Sequence, residues 1–295
     1  MAKIREIKDR MKAVANIQRI TKTMQMIATA RLQACEKRAT EAKPYSRKIV
    51  ELAGQLASSL IDDNTSQASH PLLRQPDPPV HRQLLLVITS SRGLCGGYNG
   101  NILRTATAFL KQHSDQQVDL EVVGKKGLAY FRYSRIPVNI AHSQFTDQPA
   151  YKEVEQLANR YIQEFSAGKY DAVQITYMTF ESMSSQVAKT VPLLPLQNPA
   201  ESTENKPRST TQYDFSPDPA ALLNALLPVT VKTQLFQCFN EAIVAEQLAR
   251  MVAMKSATDA AEKMGKDLTR TFNRARQTAI TTELTEVVSG AAALQ

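Results

Sequence analysis

Tryptophan is absent from the 295 residues, aromatics make up 6%, and there are only 10 glycines and 3 cysteines. No stretch reaches the roughly 18 uninterrupted apolar residues that a membrane-spanning helix needs. The first thirty residues carry Lys3, Arg5, Lys8, Arg10, Lys12, Arg19 and Lys22 with no separate apolar block, which argues against a secretory signal. Cys35, Cys95 and Cys238 are odd in number, far apart and in no CxxC pair, so neither a disulfide framework nor a zinc site follows. A reducing, cytoplasmic compartment is the simplest expectation. The length suits one large domain or two smaller ones.

Proline and glycine are missing from the two ends in particular. The first proline is Pro44 and the first glycine Gly54, while after Pro228 only Gly265 and Gly290 interrupt the chain. Both ends therefore read as long helices. In the first, Ile4, Ile7, Met11 and Val14 follow 3,4,3 spacing, and after one further step of three Ile17, Ile20, Met24 and Ile27 repeat it, a coiled-coil seam with one phase shift. In the last, Val244, Leu248, Met251, Met254, Ala257, Ala261, Met264, Leu268, Phe272, Ala275 and Ala279 recur at similar spacing, as a partner helix would. A first helix from about Lys3 to Ser58 would be roughly 80 Å long, more than a compact core requires.

Charge is uneven in the same way. The formal net charge is +8, and residues 1 to 60 hold it all: 13 Lys+Arg less 5 Asp+Glu gives +8, against 16 and 16 over residues 61–235 and 7 and 7 beyond. Arg5, Lys8, Lys12, Arg19 and Lys22 line up beside the seam. Such a stripe suits an acidic protein face, an anionic membrane or a phosphate backbone.

The middle alternates strand and helix. Leu84 to Thr89, Val118 to Val123 and Ala172 to Phe180 read as buried strands, with Val187 to Leu196 an edge strand interrupted by Pro192 and Pro195. Helices are expected near Ile102 to Leu110, Leu128 to Tyr133 and Tyr151 to Phe165. The chain divides into an N-terminal helix over 1–60, an α/β domain with polar connectors over 61–215 and a C-terminal helix over 216–295.

An α/β domain invites a nucleotide site, but the Gly93–Gly97 cluster lacks both GxxxxGK[ST] and GxGxxG spacing. Gly124-Lys125-Lys126-Gly127 reads as a tight turn. His70, His81, His113 and His142 show no ligand spacing and are expected to be solvent-exposed. Cys95 reads as a small packed side chain, and Ser90 and Ser91 as turn or cap residues, not nucleophiles. No catalytic residue, cofactor site or metal site is expected. At this stage two roles remain open: a basic coiled-coil nucleic-acid-binding or scaffold protein, and a subunit that grips an acidic protein.

Longer motifs separate them. Ile20-Thr21-Lys22-Thr23-Met24-Gln25-Met26, the turn Arg92-Gly93-Leu94-Cys95-Gly96-Gly97-Tyr98-Asn99, Arg250-Met251-Val252-Ala253-Met254-Lys255, and Ala275-Arg276-Gln277-Thr278-Ala279-Ile280-Thr281 continuing through Glu283 to Ala291 resemble the gamma subunit of F-type ATP synthase. The resemblance spans essentially the whole chain. It implies an α/β fold class in which a long antiparallel coiled coil of the two terminal helices joins a central Rossmann-like domain. It further implies a rotor shaft that lacks catalytic residues of its own, binds no nucleotide or nucleic acid, and couples a membrane c ring to a ring of alpha and beta subunits. The α/β domain is expected to meet the epsilon subunit and the c ring, on the cytoplasmic face of a bacterial inner membrane.

By the same resemblance, Lys22 and Met24 face an acidic loop of beta, and Arg250, Gln277 and Thr281, with Arg276 adjacent, meet the ring's catch loops. Tyr213 to Ser216 face the c ring. The family often has an acidic residue where this chain has Ser216, and usually Asp in place of Ser91.

Overall fold

The near absence of Pro and Gly at the ends has the expected result: the computed structural model begins and ends in long helices. It describes residues 2–62, 71–74, 80–145, 149–183, 185–196 and 219–292. Helix α1 is Ala2–Asp62, with Pro44 inside it, and α5 is Pro219–Ala292, with Pro228 inside it. Between them lie β1 (Arg82–Ile88), α2 (Tyr98–Gln112), β2 (Gln117–Val123), α3 (Lys125–Tyr133), β3 (Ile140–His142), α4 (Tyr151–Ser166), β4 (Ala172–Phe180) and β5 (Gln186–Leu194). Contacts gather the chain into two units, Arg31–Ala249, and Met1–Ala30 with Arg250–Gln295.

The Arg31–Ala249 unit is built on a five-stranded sheet of order β3-β2-β1-β4-β5. Pairings among β3, β2, β1 and β4 are parallel, and β5 pairs antiparallel with β4. A central strand with helices on both faces calls for a continuous apolar run, and β1 supplies it from Leu84 to Ile88. Leu84, Leu86 and Ile88 enter one core with Val154, Leu157, Ala158, Tyr161 and Phe165 of α4 and Leu227, Val231 and Leu235 of α5. The alternate residues Leu85 and Val87 enter the other, with Tyr98, Ile102, Leu103 and Ala106 of α2 and Phe131 of α3. The α4 residues fall one helical turn apart, which is why that segment is helical and lies with that face inward.

Of Gly124-Lys125-Lys126-Gly127, expected as a tight turn, only Gly124 turns the chain; Lys125 begins α3, because the chain passes from β2 into that helix without a loop. Gly124 has φ +93°, and a Cβ there would lie 2.3 Å from the Thr89 carbonyl oxygen, which excludes any other residue without a backbone shift. The Thr89 hydroxyl donates to the Val123 carbonyl at 2.7 Å and accepts from the Gly127 N–H at 3.0 Å, tying the ends of β1 and β2 together. On β5, Pro192 sits at the edge of the sheet beside the register shift at Val173/Gln174 of β4, a position that spares a ladder hydrogen bond.

Two expectations need correction. Strand β3 is not visible in the sequence, because it is three residues long and Ile140 is exposed. Its position depends on a buried tertiary contact, in which His142, expected to be solvent-exposed, is enclosed with its Nε2 2.7 Å from Glu121 Oε2. The same carboxylate, 2% exposed, accepts the Tyr161 hydroxyl at 2.8 Å and an Arg160 guanidinium N–H. His113 is half-buried against Phe109 and His81 is exposed, whereas His70 lies outside the described residues.

The Glu121 cluster fastens β2, β3 and α4 at one point. Burial on its own would raise the Glu121 pKa, but hydrogen bonds from His142 and Tyr161 and the charge of Arg160 outweigh it and hold the carboxyl below its ordinary value of 4.5. We expect Glu121→Gln to cost about 3 kcal/mol at neutral pH, since it leaves Arg160 without its counter-charge. A carboxyl with a lowered folded-state pKa contributes stability above the ordinary value and loses it as pH falls. The gap between wild type and variant in urea unfolding should therefore close as pH drops below 4.5. A gap independent of pH would mean that Glu121 acts through shape, not charge.

Candidate partner interface

The unit formed by Met1–Ala30 with Arg250–Gln295 has a mixed interior that is polar at its centre. On α1 Ile4, Ile7, Met11, Val14, Gln18, Thr21, Gln25 and Ala28 are enclosed or half-enclosed in an unbroken 3,4 repeat, with Met24 and Thr29 half-buried beside it. The expected phase shift after Val14 is absent. Gln18, Thr21 and Gln25 hold the seam, and Ile17, Ile20 and Ile27 turn outward at 52%, 57% and 50% exposure, with Met24 half-buried at the margin between them.

On α5, Met254, Thr258 and Ala261 are enclosed, and Gly265, Leu268, Phe272, Ala275 and Ala279 are half-enclosed. Met264, expected on the seam, is exposed, and Gly265 takes its place. The Thr258 hydroxyl donates to the Thr21 hydroxyl at 2.8 Å, which fixes the register. From that bond the enclosed positions run back along α1 to Ile4 and onward along α5 to Ala279, so the helices are antiparallel. Past Ala279, every described α5 residue is exposed, and Ile280, Leu284, Val287 and Val288 form one apolar stripe.

The residues singled out from the sequence lie on this scaffold. Lys22 is exposed one position beyond Thr21, and its charge reaches Glu262 on α5. The Glu262 pKa is lowered chiefly by the Lys266 ammonium that donates to it, with Lys22 adding a smaller share. Arg250 is buried. Arg276, Gln277 and Thr281 are exposed, and Gln277 and Thr281 share a face one turn apart, where the Thr281 hydroxyl donates to the Gln277 carbonyl at 3.0 Å. Tyr213 and Ser216 lie outside the described residues. Sequence reasoning missed the Thr21–Thr258 pair and the outward isoleucines; continuing the 3,4 count from Val14 through Gln18 would have found both.

The turn at the end of β1 is occupied by its own side chains. Ser90 is buried, its hydroxyl donating to the Arg92 carbonyl at 2.6 Å and accepting from Asn99 Nδ2 at 2.7 Å; the same amide donates to Cys95 Sγ at 3.2 Å. The hydrogen bonds of Ser90 and Cys95 thus join backbone and amide groups, not an imidazole or carboxylate that would activate a nucleophile. Beside this turn is a cavity of about 30 Å³ lined by Thr89, Ser91, Tyr98, Phe145, Phe239 and Glu246. That volume suits a water molecule, not a nucleotide. All three cysteines are buried, and burial pushes the Cys238 thiol up to about 12.

Together these features define a class of protein: a doubly wound α/β unit, and an antiparallel helix pair that keeps polar groups inside and shows apolar stripes outside. The sequence model of the ATP synthase family matches residues 3–294. ATP synthase gamma chains from Rhodopirellula baltica, Desulfitobacterium hafniense and Leptospira biflexa are 38%, 37% and 36% identical, each aligned over all of both chains. The chain therefore belongs to the ATP synthase gamma chain family.

Solved structures agree on the fold. A chain of the Euglena gracilis mitochondrial ATP synthase, OSCP/F1/c-ring in rotational state 3, has a TM-score of 0.64 at 19% identity, covering 99% of this chain and 95% of that one. A chain of the Tetrahymena thermophila mitochondrial ATP synthase central stalk/c-ring has a TM-score of 0.55 at 23% identity, covering 81% of this chain and 99% of that one.

If the outward stripe serves a partner and not the fold, Ile17→Ser with Ile20→Ser should leave the melting of the isolated chain within about 0.5 kcal/mol of wild type, as for surface substitutions. Phe272→Ala, which removes a half-enclosed ring of the seam, should cost about 2 kcal/mol. Thermal denaturation followed by circular dichroism distinguishes the two; a larger loss from the isoleucine pair would place them in the seam.

Proposed function

We propose that this chain is the central rotor shaft of an F-type ATP synthase, a subunit that transmits torque and performs no chemistry itself. The observation that carries the reading is the inversion in the helix pair. A pair that places Gln18, Thr21 and Gln25 in its seam while exposing Ile17, Ile20 and Ile27 leaves three large apolar side chains to be covered by something outside it. A surrounding sleeve of alpha and beta subunits does so. A nucleic acid would engage the basic stripe and leave the isoleucines uncovered.

The mechanism follows from asymmetry. One shaft with different faces at different angles contacts three equivalent catalytic subunits, so each is held in a different state with a different nucleotide affinity. Rotation exchanges those states. Coupling is reciprocal: torque from the membrane c ring drives product release, and ATP hydrolysis in the ring turns the shaft the other way.

Within this reading Lys22 and Met24 meet an acidic loop of beta, and Gln277 and Thr281, with Arg276 beside them and Arg250 nearer the α/β unit, meet the catch region of the ring. Tyr213 and Ser216 face the c ring. The α/β unit carries the epsilon and c-ring contacts. Among the described residues no helix is long and apolar enough to cross a membrane; attachment to the cytoplasmic face of a bacterial inner membrane runs through these partners.

Co-purification is the first test: the tagged chain should elute with partners of alpha and beta size, and elution alone from native membranes would contradict the proposal. Met24→Lys places a cation against the acidic loop and should hold the shaft in one orientation. Hydrolysis should persist while ion pumping per ATP in membrane vesicles falls; unchanged pumping would remove Met24 from that contact. Gln277→Leu should leave the isolated chain's stability within about 0.5 kcal/mol yet lower the ATPase activity of the assembled complex. Loss of stability with normal assembly would instead make Gln277 part of the seam.

A further inference from the structure

The two edges of the sheet are not alike. The β5 edge carries Pro192 within the strand and Pro195 just after it, and its Lys189 is paired with Glu181, all features that discourage another strand from adding. Among the described residues nothing pairs with the outer side of β3, and Ile140 and Ala141 are exposed there. From Gly124 to Phe145 the chain has four cations, Lys125, Lys126, Arg132 and Arg135, and no Asp or Glu. All four cations are exposed. Of the acids flanking this stretch, Glu121 is buried and already bonded to Arg160 and His142, and Asp147 lies outside the described residues. On α3, Tyr130 and Tyr133 lie one turn apart and face solvent, Tyr133 at 89% exposure.

From this juxtaposition we infer that the outer edge of β3 and the tyrosine face of α3 receive an extended acidic segment of a partner protein as an added strand. The open edge supplies backbone donors and acceptors that only another peptide backbone matches along its length. Arg132 and Arg135 at the end of α3 meet its carboxylates, and the two tyrosine rings cover its apolar side chains. A lipid surface fits worse, because hydrocarbon leaves edge N–H and C=O groups without partners. The inference rests on the chain being a subunit of the assembly proposed above and adds a location and chemistry for one of its contacts.

Hydrogen–deuterium exchange on the free chain and on the intact complex, together with a photoreactive phenylalanine at Tyr133 in the complex, tests it. The amides of residues 140–142 should exchange at least about tenfold more slowly in the complex, by the arithmetic of a modest added hydrogen-bonded strand. The label should join a peptide rich in Asp and Glu. Arg132→Glu with Arg135→Glu should abolish that protection while leaving the melting of the free chain unchanged. Equal exchange in both states, a label on lipid or nucleic acid, or protection that survives the double variant would overturn the inference. A chain that fails to enter the complex at all would count against the shaft reading, whereas entry with an unprotected β3 edge would count against this inference alone.

Discussion

Everything in the helix pair depends on how little apolar surface it encloses. Two helices can share only one seam, and at its centre this seam holds a Thr21–Thr258 hydrogen bond flanked by Gln18 and Gln25. A buried polar pair gives up stability and gains register, because sliding either helix breaks the hydroxyl–hydroxyl bond and leaves Thr21 and Thr258 only the carbonyls of Gln18 and Met254 on their own helices. The pair is thus aligned along its length but weakly stabilised from within at its centre, and it keeps Ile17, Ile20 and Ile27 for an outer surface. For a shaft this division is useful: internal alignment persists while the outer contacts are exchanged.

The α/β unit follows the opposite rule. Its β1 strand spends alternate side chains on two separate cores, and the buried Glu121 carboxylate is matched by His142, Tyr161 and Arg160. That unit is held by its own interior. The turn after β1, where related sheets place ligands, is filled by Ser90, Asn99 and Cys95 bonding to one another. The residual cavity there has room for a water molecule.

Much of this was legible in the sequence, and the failures have physical causes. Long helices at both ends followed from the scarcity of Pro and Gly, and β1, β2, β4, α3 and α4 from apolar runs and periodicity, because each buries a complete face within the chain. Strand β3 was hidden because tertiary contacts through His142, not its own pattern, define it. The seam was misread after Val14 because regular apolar spacing marks a face of a helix without saying whether that face is turned toward the other helix or away from it. Ile17, Ile20, Met24 and Ile27 repeat as regularly as a seam, yet the three isoleucines point away from it and Met24 lies at its margin. The residues proposed to meet partners came from extended motifs, since exposed Lys22, Arg276, Gln277 and Thr281 carry no packing signal of their own.

The central claim is that the chain turns inside a ring. Its most direct test fixes the alpha and beta subunits of the purified complex to a surface, attaches a bead to an exposed cysteine introduced in the α/β unit, and supplies ATP. The account predicts rotation of the bead in one direction, pausing three times per turn and stopping when ATP is withdrawn. A bead that stays fixed while the complex hydrolyses ATP would contradict it.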